Sequence, residues 1–360
     1  MDHVGAGTFT KPLLVELSHT IERLALAADP AAPTVVVAMF QRLAYFRREA
    51  DVYRDIAARG AVTIVGLADD VPALLPPGVK HVLLDPEDDL IHEWSVTVLG
   101  PRAGATLVAA DLETLEPTAA TAEHGRTFRA GWSFRREEAR RQVLRLRSKL
   151  SLDVATAAGV DAVLRTVAGT PEPVNGQAPW DEALRFLAGR VAEALRQKAA
   201  GAAALAEVME TTERDRHTNF YTEVFLHRWL AGAATGTLPM GLALLQLPGL
   251  AAVRERYGRR AELAVLRRIA DGVAALTRDG DRVVTLGPED FLVVLPSAGP
   301  DDVLRVCNEV CRIAAGLDEA YPFVALPAKV AGTVTRERPL PIDRLRQRAT
   351  SDRLGVLVPI

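Results

Sequence analysis

Cysteine is nearly absent from the 360 residues, with two in the whole chain, which excludes a disulfide scaffold and a multi-cysteine zinc module. Cys307 and Cys311 lie four apart in a periodic helical stretch. That spacing stacks them on one helix face without a CxxC pattern, so they read as small buried apolar residues. Net charge is also scarce: 43 basic against 46 acidic residues leave a formal charge of -3. Such a balance gives no electrostatic reason to expect nucleic acid or an anionic membrane as partner. No uncharged apolar run approaches membrane-spanning length; the best candidate, 238–253, is short and carries Gln246 and Pro248. Met1 to Thr10 is polar and Gly-bearing, unlike a signal peptide, so a cytoplasmic location is expected.

What is present is a core-forming chain, 49% hydrophobic and 25% charged, too long for a single compact core. The expectation is an α/β protein: two α/β domains joined by a long helix. In residues 1–150, strand-length apolar runs recur at 34–40, 62–67, 81–85, 94–99, 105–110 and 127–134. Helical patterns at 13–28, 47–59 and 135–150 alternate with some of them, which predicts a mixed sheet with helices. Residues 151–178 hold one weak helix and then the Pro- and Gly-dense stretch 169–176, read as a linker. Residues 179–213 form a helical stalk in which Leu184, Val191, Leu195, Ala202, Leu205 and Met209 approach heptad spacing, with Lys198 on the seam. A dimerising stalk is the reading adopted, the alternative being a helix lying on its own domain. Residues 214–360 form the second α/β unit. Its predicted helices are 222–232, 250–276 and 301–315 and its predicted strands 241–247, 282–286, 291–295 and 322–334, an order that suits an antiparallel sheet covered by helices.

In the second unit, Asp215-Arg-His-Thr-Asn-Phe-Tyr-Thr-Glu223, Arg256-Tyr257-Gly258 with Ala264-Val265-Leu266, and Leu286-Gly287-Pro288-Glu289-Asp290-Phe291 stand at fixed offsets. Together they make residues 215–348 resemble a GGDEF domain, the fold of diguanylate cyclases. That resemblance implies two divalent ions held by a first-strand carboxylate and the acidic residue of the hairpin, where they neutralise charge during phosphoryl transfer. Here the first position is Gln246, and the second acidic position of that strand is Pro248. A neutral amide cannot replace the anion. Glu289 keeps the hairpin position, but Gly287 is followed by Pro288, which lacks an N–H and fixes φ where phosphate would approach. The base-reading positions are Arg254 and Leu263, and leucine offers no hydrogen bond to guanine. The expectation is a degenerate active site with no catalytic residue, no metal and no required cofactor. A residual enzyme using Glu289 is the outlying alternative.

The same resemblance implies an inhibitory R-x-x-D site just before the hairpin, which in the family binds cyclic di-GMP. At that offset the chain has Arg278-Asp279-Gly280-Asp281. A guanidinium can meet guanine O6 and N7 while a carboxylate accepts from N1–H and N2–H. Arg282 and Arg312 are candidates for a second guanidinium. The tetrapeptide also reads as a polar Asp-Gly surface turn.

Residues 11–150 resemble a DICT sensory domain, on Phe40-Gln41, Tyr45-Phe46, Tyr53, the acidic turn 85–90, Glu93-Trp94, 98–101 and Asp111-Leu112. The aromatics and Gln41 could line a ligand pocket or form core, and the turn 85–89 could take a cation or be a solvated loop. The sequence displays no metal cluster, nucleophile–base pair or glycine-rich phosphate loop in this region. The expected protein is a bacterial signalling homodimer that binds cyclic di-GMP and acts on a downstream signalling protein. The second reading is a nucleotide-independent dimerisation and docking module driven by the sensory domain.

Overall fold

The computed structural model describes residues 7–68, 75–85, 87–171, 213–320 and 327–350, with scattered positions between 189 and 201. The chain divides into two compact units, Met1–Leu112 with Thr127–Lys198, and Glu113–Arg126 with Ala199–Ile360.

The first unit is built on a seven-stranded mixed sheet in the order β1-β7-β6-β5-β2-β3-β4. Its strands are β1 (Gly7–Thr10), β2 (Val35–Met39), β3 (Val62–Leu67), β4 (Val79–Leu83), β5 (Glu93–Leu99), β6 (Gly104–Leu115) and β7 (Arg126–Ser133). β2, β3 and β4 run parallel, while β5 pairs antiparallel with β2 and with β6. The unbroken apolar run of β2 has every residue buried, as a strand covered on both faces requires. Helix α1 (Lys11–Ala27) packs on β5, and α2 (Leu43–Ala58) on β3 and α1. Val35, Val37 and Met39 point to one face by strand alternation. There they meet Val143 and Leu146 of α4 (Arg136–Lys149) and Val160, Val163 and Val167 of α5 (Val154–Gly169). The boundary expected at residue 150 is therefore displaced: the weak helix assigned to the linker has an apolar face that completes this core. Residues 172–178 of the linker lie outside the described residues. So do the stalk positions Leu184, Leu195, Ala202, Leu205 and Met209, whereas Val191 and Lys198 are helical and exposed.

The second unit carries a five-stranded sheet in the order β12-β9-β11-β10-β8. Its strands are β8 (Tyr221–Thr222), β9 (Met240–Gln246), β10 (Arg282–Thr285), β11 (Asp290–Pro296) and β12 (Lys329–Thr335). All neighbours are antiparallel except the edge pair β8 and β10, which is parallel. The expected helix 250–276 is two helices, α7 (Leu250–Tyr257) and α8 (Arg259–Ala274). Gly258 separates them at φ +82, a conformation that ends a right-handed helix and suits glycine. α8 and α9 (Pro300–Ala320) cover one face through Val265, Ile269, Val303, Val306 and Cys307. Cys307 is buried and Cys311 packs at the cluster's edge, which fulfils their reading as apolar filler. On the other face, α6 (Glu223–Trp229) and α10 (Ile342–Thr350) bring Phe225, Trp229 and Leu345 onto Met240, Leu242 and Leu244. Trp229 is 1% exposed, and truncating such a ring to alanine costs about 3–5 kcal/mol.

The segment 113–126, expected inside the first domain, belongs to the second unit. Ala122, of the single-turn helix α3 (Ala122–Gly125), and Leu115 join the Trp229 cluster. Glu113 pairs with Arg336 at 2.5 Å, and Ser297 Oγ donates to the Glu113 carbonyl at 2.6 Å.

Candidate functional site

The hairpin β10–β11 presents the positions on which the cyclase resemblance turns. Antiparallel register sets Gln246, the last residue of β9, opposite Asp290, and its Nε2 donates to Asp290 Oδ1 at 3.0 Å. Asp290 Oδ2 in turn accepts from Arg346 Nε at 3.0 Å, and Arg346 Nη1 donates to Asp343 at 3.1 Å. The amide thus sits within a polar chain running from β9 through β11 to α10. Glu289 is engaged elsewhere: its Oε1 accepts the backbone N–H of Gly249 at 3.3 Å and of Ala251 at 3.2 Å. These donors open α7, whose N-cap residue, Gly249, has no side chain to satisfy them. Pro288 is exposed, and a Cβ on Gly287 would meet nothing within 4 Å. Arg254 stands 3.9 Å from Glu262 on the facing helix, while Leu263 packs on the core cluster. No polar group is offered where Leu263 stands.

Arg278 and Asp281 do come together. Asp281 Oδ2 accepts the Arg278 backbone N–H at 2.8 Å, and Asp281 N–H returns to the Arg278 carbonyl at 3.1 Å. Gly280, at φ +101, provides the left-handed step that closes this turn. Burial pushes the Asp281 carboxyl up, opposed by the Arg278 N–H and the neighbouring guanidinium charges. Arg278 Nη2 reaches Asp302 at 3.3 Å, and Arg305 reaches the same oxygen at 3.4 Å. Arg278, Asp281, Asp302 and Arg305, with Ser297 and Thr114, line an open cavity of about 250 Å³. Pockets for drug-sized ligands run ~300–1,000 Å³, so this one has room for a single base.

Neither candidate for a second guanidinium lines that cavity. Arg282 donates to the Asp281 and Pro117 carbonyls and lies 5.5 Å over the Trp229 ring, a packing position. Arg312 is exposed on α9 and ion-paired to Glu309 one turn away. The cavity's second guanidinium is Arg305, which the sequence reading passed over. Its signal was available in Asp302 and Arg305, three apart at the start of α9 and on one face.

In the first unit, the Phe40, Phe46 and Tyr53 rings meet edge-on at 5.3–5.8 Å and are buried. They are core. Gln41 follows β2 at φ +58, is 5% exposed, and accepts the Ala68 N–H at its carbonyl. In the acidic turn, Asp85 bonds the Glu87 N–H, while Asp88 caps a short 3-10 helix (Asp89–His92) and reaches Lys149 at 3.5 Å. That is local loop chemistry. Glu93, 8% exposed, is held by Arg145 and Gln142.

Residues 2–112 match the DICT family model. The model describes a sensory domain in diguanylate cyclases and two-component systems, and its span lies within the resemblance drawn over 11–150 except at the first residues. No curated protein matches the chain. Among solved structures, the chain is similar to the GGDEF domain of TpbB (YfiN) from Pseudomonas aeruginosa, at 18% identity and TM-score 0.35, covering 41% of this chain and 93% of that one. It is similar to the diguanylate cyclase SiaD of Pseudomonas aeruginosa, solved with its activator SiaC, at 18% identity and TM-score 0.37, covering 62% and 88%. A third is the GGDEF domain of DgcB from Caulobacter crescentus in complex with c-di-GMP, at 16% identity and TM-score 0.31, covering 38% and 85%.

The DICT segment is followed directly by the arm 113–126. Thr114 and Leu115 line the Arg278 cavity, and the Pro117 ring lies 3.7 Å from where a Gly280 Cβ would stand. Sequence reading missed this participation, because nothing local to 113–117 distinguishes a strand end from a contact with residues more than 160 positions away. No helix among the described residues is long and apolar enough to cross a membrane.

Proposed function

We propose that the chain is a signal-transduction protein in which a DICT sensory unit precedes a non-catalytic GGDEF-like unit, and that the second unit receives one guanine of cyclic di-GMP at Arg278 and Asp281. The observation that carries this is the shared cavity: one guanidinium and one carboxylate, three residues apart, border a space sized for one base, with Arg305 beside them. Arg278 would fork to O6 and N7 and Asp281 would accept from the Watson–Crick edge, the second base remaining at the open side. The absence of turnover is supported by the occupations of the would-be catalytic groups. Gln246 and Arg346 are bonded to Asp290, and Glu289 accepts the α7 N–H groups, so both hairpin carboxylates are already engaged and the β9 position brings an amide in place of a further anion.

The test is calorimetric titration of cyclic di-GMP into the full chain, with GTP as control. Micromolar binding that falls at least tenfold in Arg278→Ala, with no product from GTP and Mg²⁺ or Mn²⁺, is the expected result. Affinity unchanged by that substitution would remove the receptor reading. A docking module indifferent to nucleotide is the second reading. It is favoured by the ion pair of Arg278 with Asp302, which satisfies the guanidinium in the absence of ligand.

A further inference from the structure

The first unit contains a cluster that neither family resemblance addresses. His19 and Glu22 lie three apart on α1 and so share a face, and Glu49 comes from α2. His19 Nε2 and Glu49 Oε1 are 3.3 Å apart, and one ligand atom from each of the three residues lies within 4.8 Å of the others. An ion with bonds of ~2.1 Å spaces its ligands by up to about twice that length. The three ligand atoms lie close to that span.

Glu22 is the unusual member. Its residue is 1% exposed, yet among the described residues it pairs with no Lys or Arg. Its two hydrogen bonds, from Tyr53 Oη at 2.9 Å and Ser18 Oγ at 3.1 Å, both fall on Oε1. A buried carboxylate without a cation is costly, and the nearby Glu49 carboxylate adds to the cost. Burial and that neighbour push the Glu22 carboxyl up, with the Tyr53 bond opposing. His19 and Glu49, by contrast, are 34% and 25% exposed at their side chains, so the cluster opens to solvent on one side. Buried anchor, oriented by a tyrosine and a serine, with two accessible ligands, is the layout of a metal site with an entry path and an outer shell.

We propose that His19, Glu22 and Glu49 bind a divalent transition ion of the zinc class, joining α1 to α2 of the sensory unit. Imidazole nitrogen argues against Mg²⁺ and Ca²⁺, which take oxygen ligands. One nitrogen and two carboxylate oxygens leave a fourth, solvent-facing position for water or an exchangeable ligand. Zinc neutralises the pair of carboxylates and replaces the missing cation. Tyr53 and Ser18 hold Glu22 so that Oε2 remains available.

The experiment uses the full, tag-free chain stripped with EDTA. Zn²⁺ is titrated calorimetrically and, separately, in competition with a chromophoric chelator. One equivalent at micromolar or tighter affinity is expected, unaffected by excess Mg²⁺. His19→Ala and Glu49→Ala, both at accessible positions, should each weaken uptake at least tenfold while far-UV circular dichroism stays native. Tyr53→Phe should weaken it by about 10-fold or more through the outer shell. The double variant Cys307→Ser/Cys311→Ser controls for thiolate binding and should behave as the parent. No stoichiometric uptake by the parent, uptake indifferent to both His19→Ala and Glu49→Ala, or loss of uptake in the cysteine variant would overturn the proposal.

Discussion

Glu289 is the residue on which a catalytic and a structural reading diverge most sharply. Its carboxylate accepts two N–H groups at the start of α7, a helix of eight residues whose N-cap is glycine. Losing a capping side chain costs ~0.5–2 kcal/mol, and a negative charge at a helix N-terminus is worth ~0.3–1 kcal/mol. Glu289→Ala should therefore lower the stability of the second unit by about 1–2 kcal/mol. Glu289→Gln keeps an acceptor without the charge and should lose roughly half of that. For a unit of this size each kcal/mol moves the midpoint by ~2–4 °C, so the alanine variant should melt about 2–8 °C lower and the glutamine variant between it and the parent. Circular dichroism melts of the three proteins, beside a GTP turnover assay with Mg²⁺ and with Mn²⁺, check both halves. Equal midpoints for all three proteins, or turnover in the parent that vanishes in both variants, would refute the assignment of Glu289 to the cap.

Gly258→Ala should destabilise by ~1–2 kcal/mol through backbone strain alone, because φ is +82 and a Cβ would meet no atom within 4 Å; urea denaturation reads it, and an unchanged midpoint would contradict the strain. Burial raises the Asp215 carboxyl, but the Thr218 N–H and hydroxyl and the His217 N–H outweigh it and hold the group below its ordinary value. Its contribution to stability is thus fully present above the unfolded pKa and is lost as pH falls through the folded one. Asp215→Asn should accordingly be less stable than the parent at neutral pH, with the gap closing as pH falls below the ordinary aspartate range; a gap independent of pH would exclude the linkage. Burial pushes the Cys307 thiol up to about 12, so a thiol-specific reagent at pH 8 should modify it only after denaturation, and rapid labelling in the native protein would show that the core cluster is not as packed.

The fold was legible wherever burial dictated pattern. The apolar run of β2 announced a strand, and the order of strand-length and helical runs after residue 214 announced an antiparallel sheet covered by helices. The parallel edge strand β8, two residues long, left no periodicity to find. The break at Gly258 was missed because a lone glycine between two helical segments is a weak stop signal. α5 was seen as a helix yet assigned to a linker, because its alanine-rich sequence gives a weak signal although Val160, Val163 and Val167 sit at helical spacing on one face.

The site divides along another line, between what a residue is and what it faces. What Gln246 and Leu263 can offer a ligand could be read from chemistry alone, since an amide carries no charge and leucine no donor wherever they lie. Where a competing partner would come from could not. Glu289 finds the N–H groups of Gly249 and Ala251, and Arg278 finds Asp302, through tertiary approach rather than spacing. The arm 113–126 is the strongest instance, since its Thr114 and Leu115 border the Arg278 cavity although they follow directly on the DICT segment. The cavity is bordered by both the R-x-x-D turn and the last residues of β6. If the cavity binds guanine, substitution of Thr114 by a bulkier residue such as Thr114→Trp should weaken binding as Arg278→Ala does, without touching the guanidinium, and equal affinities for parent and Thr114→Trp would separate the arm from the site.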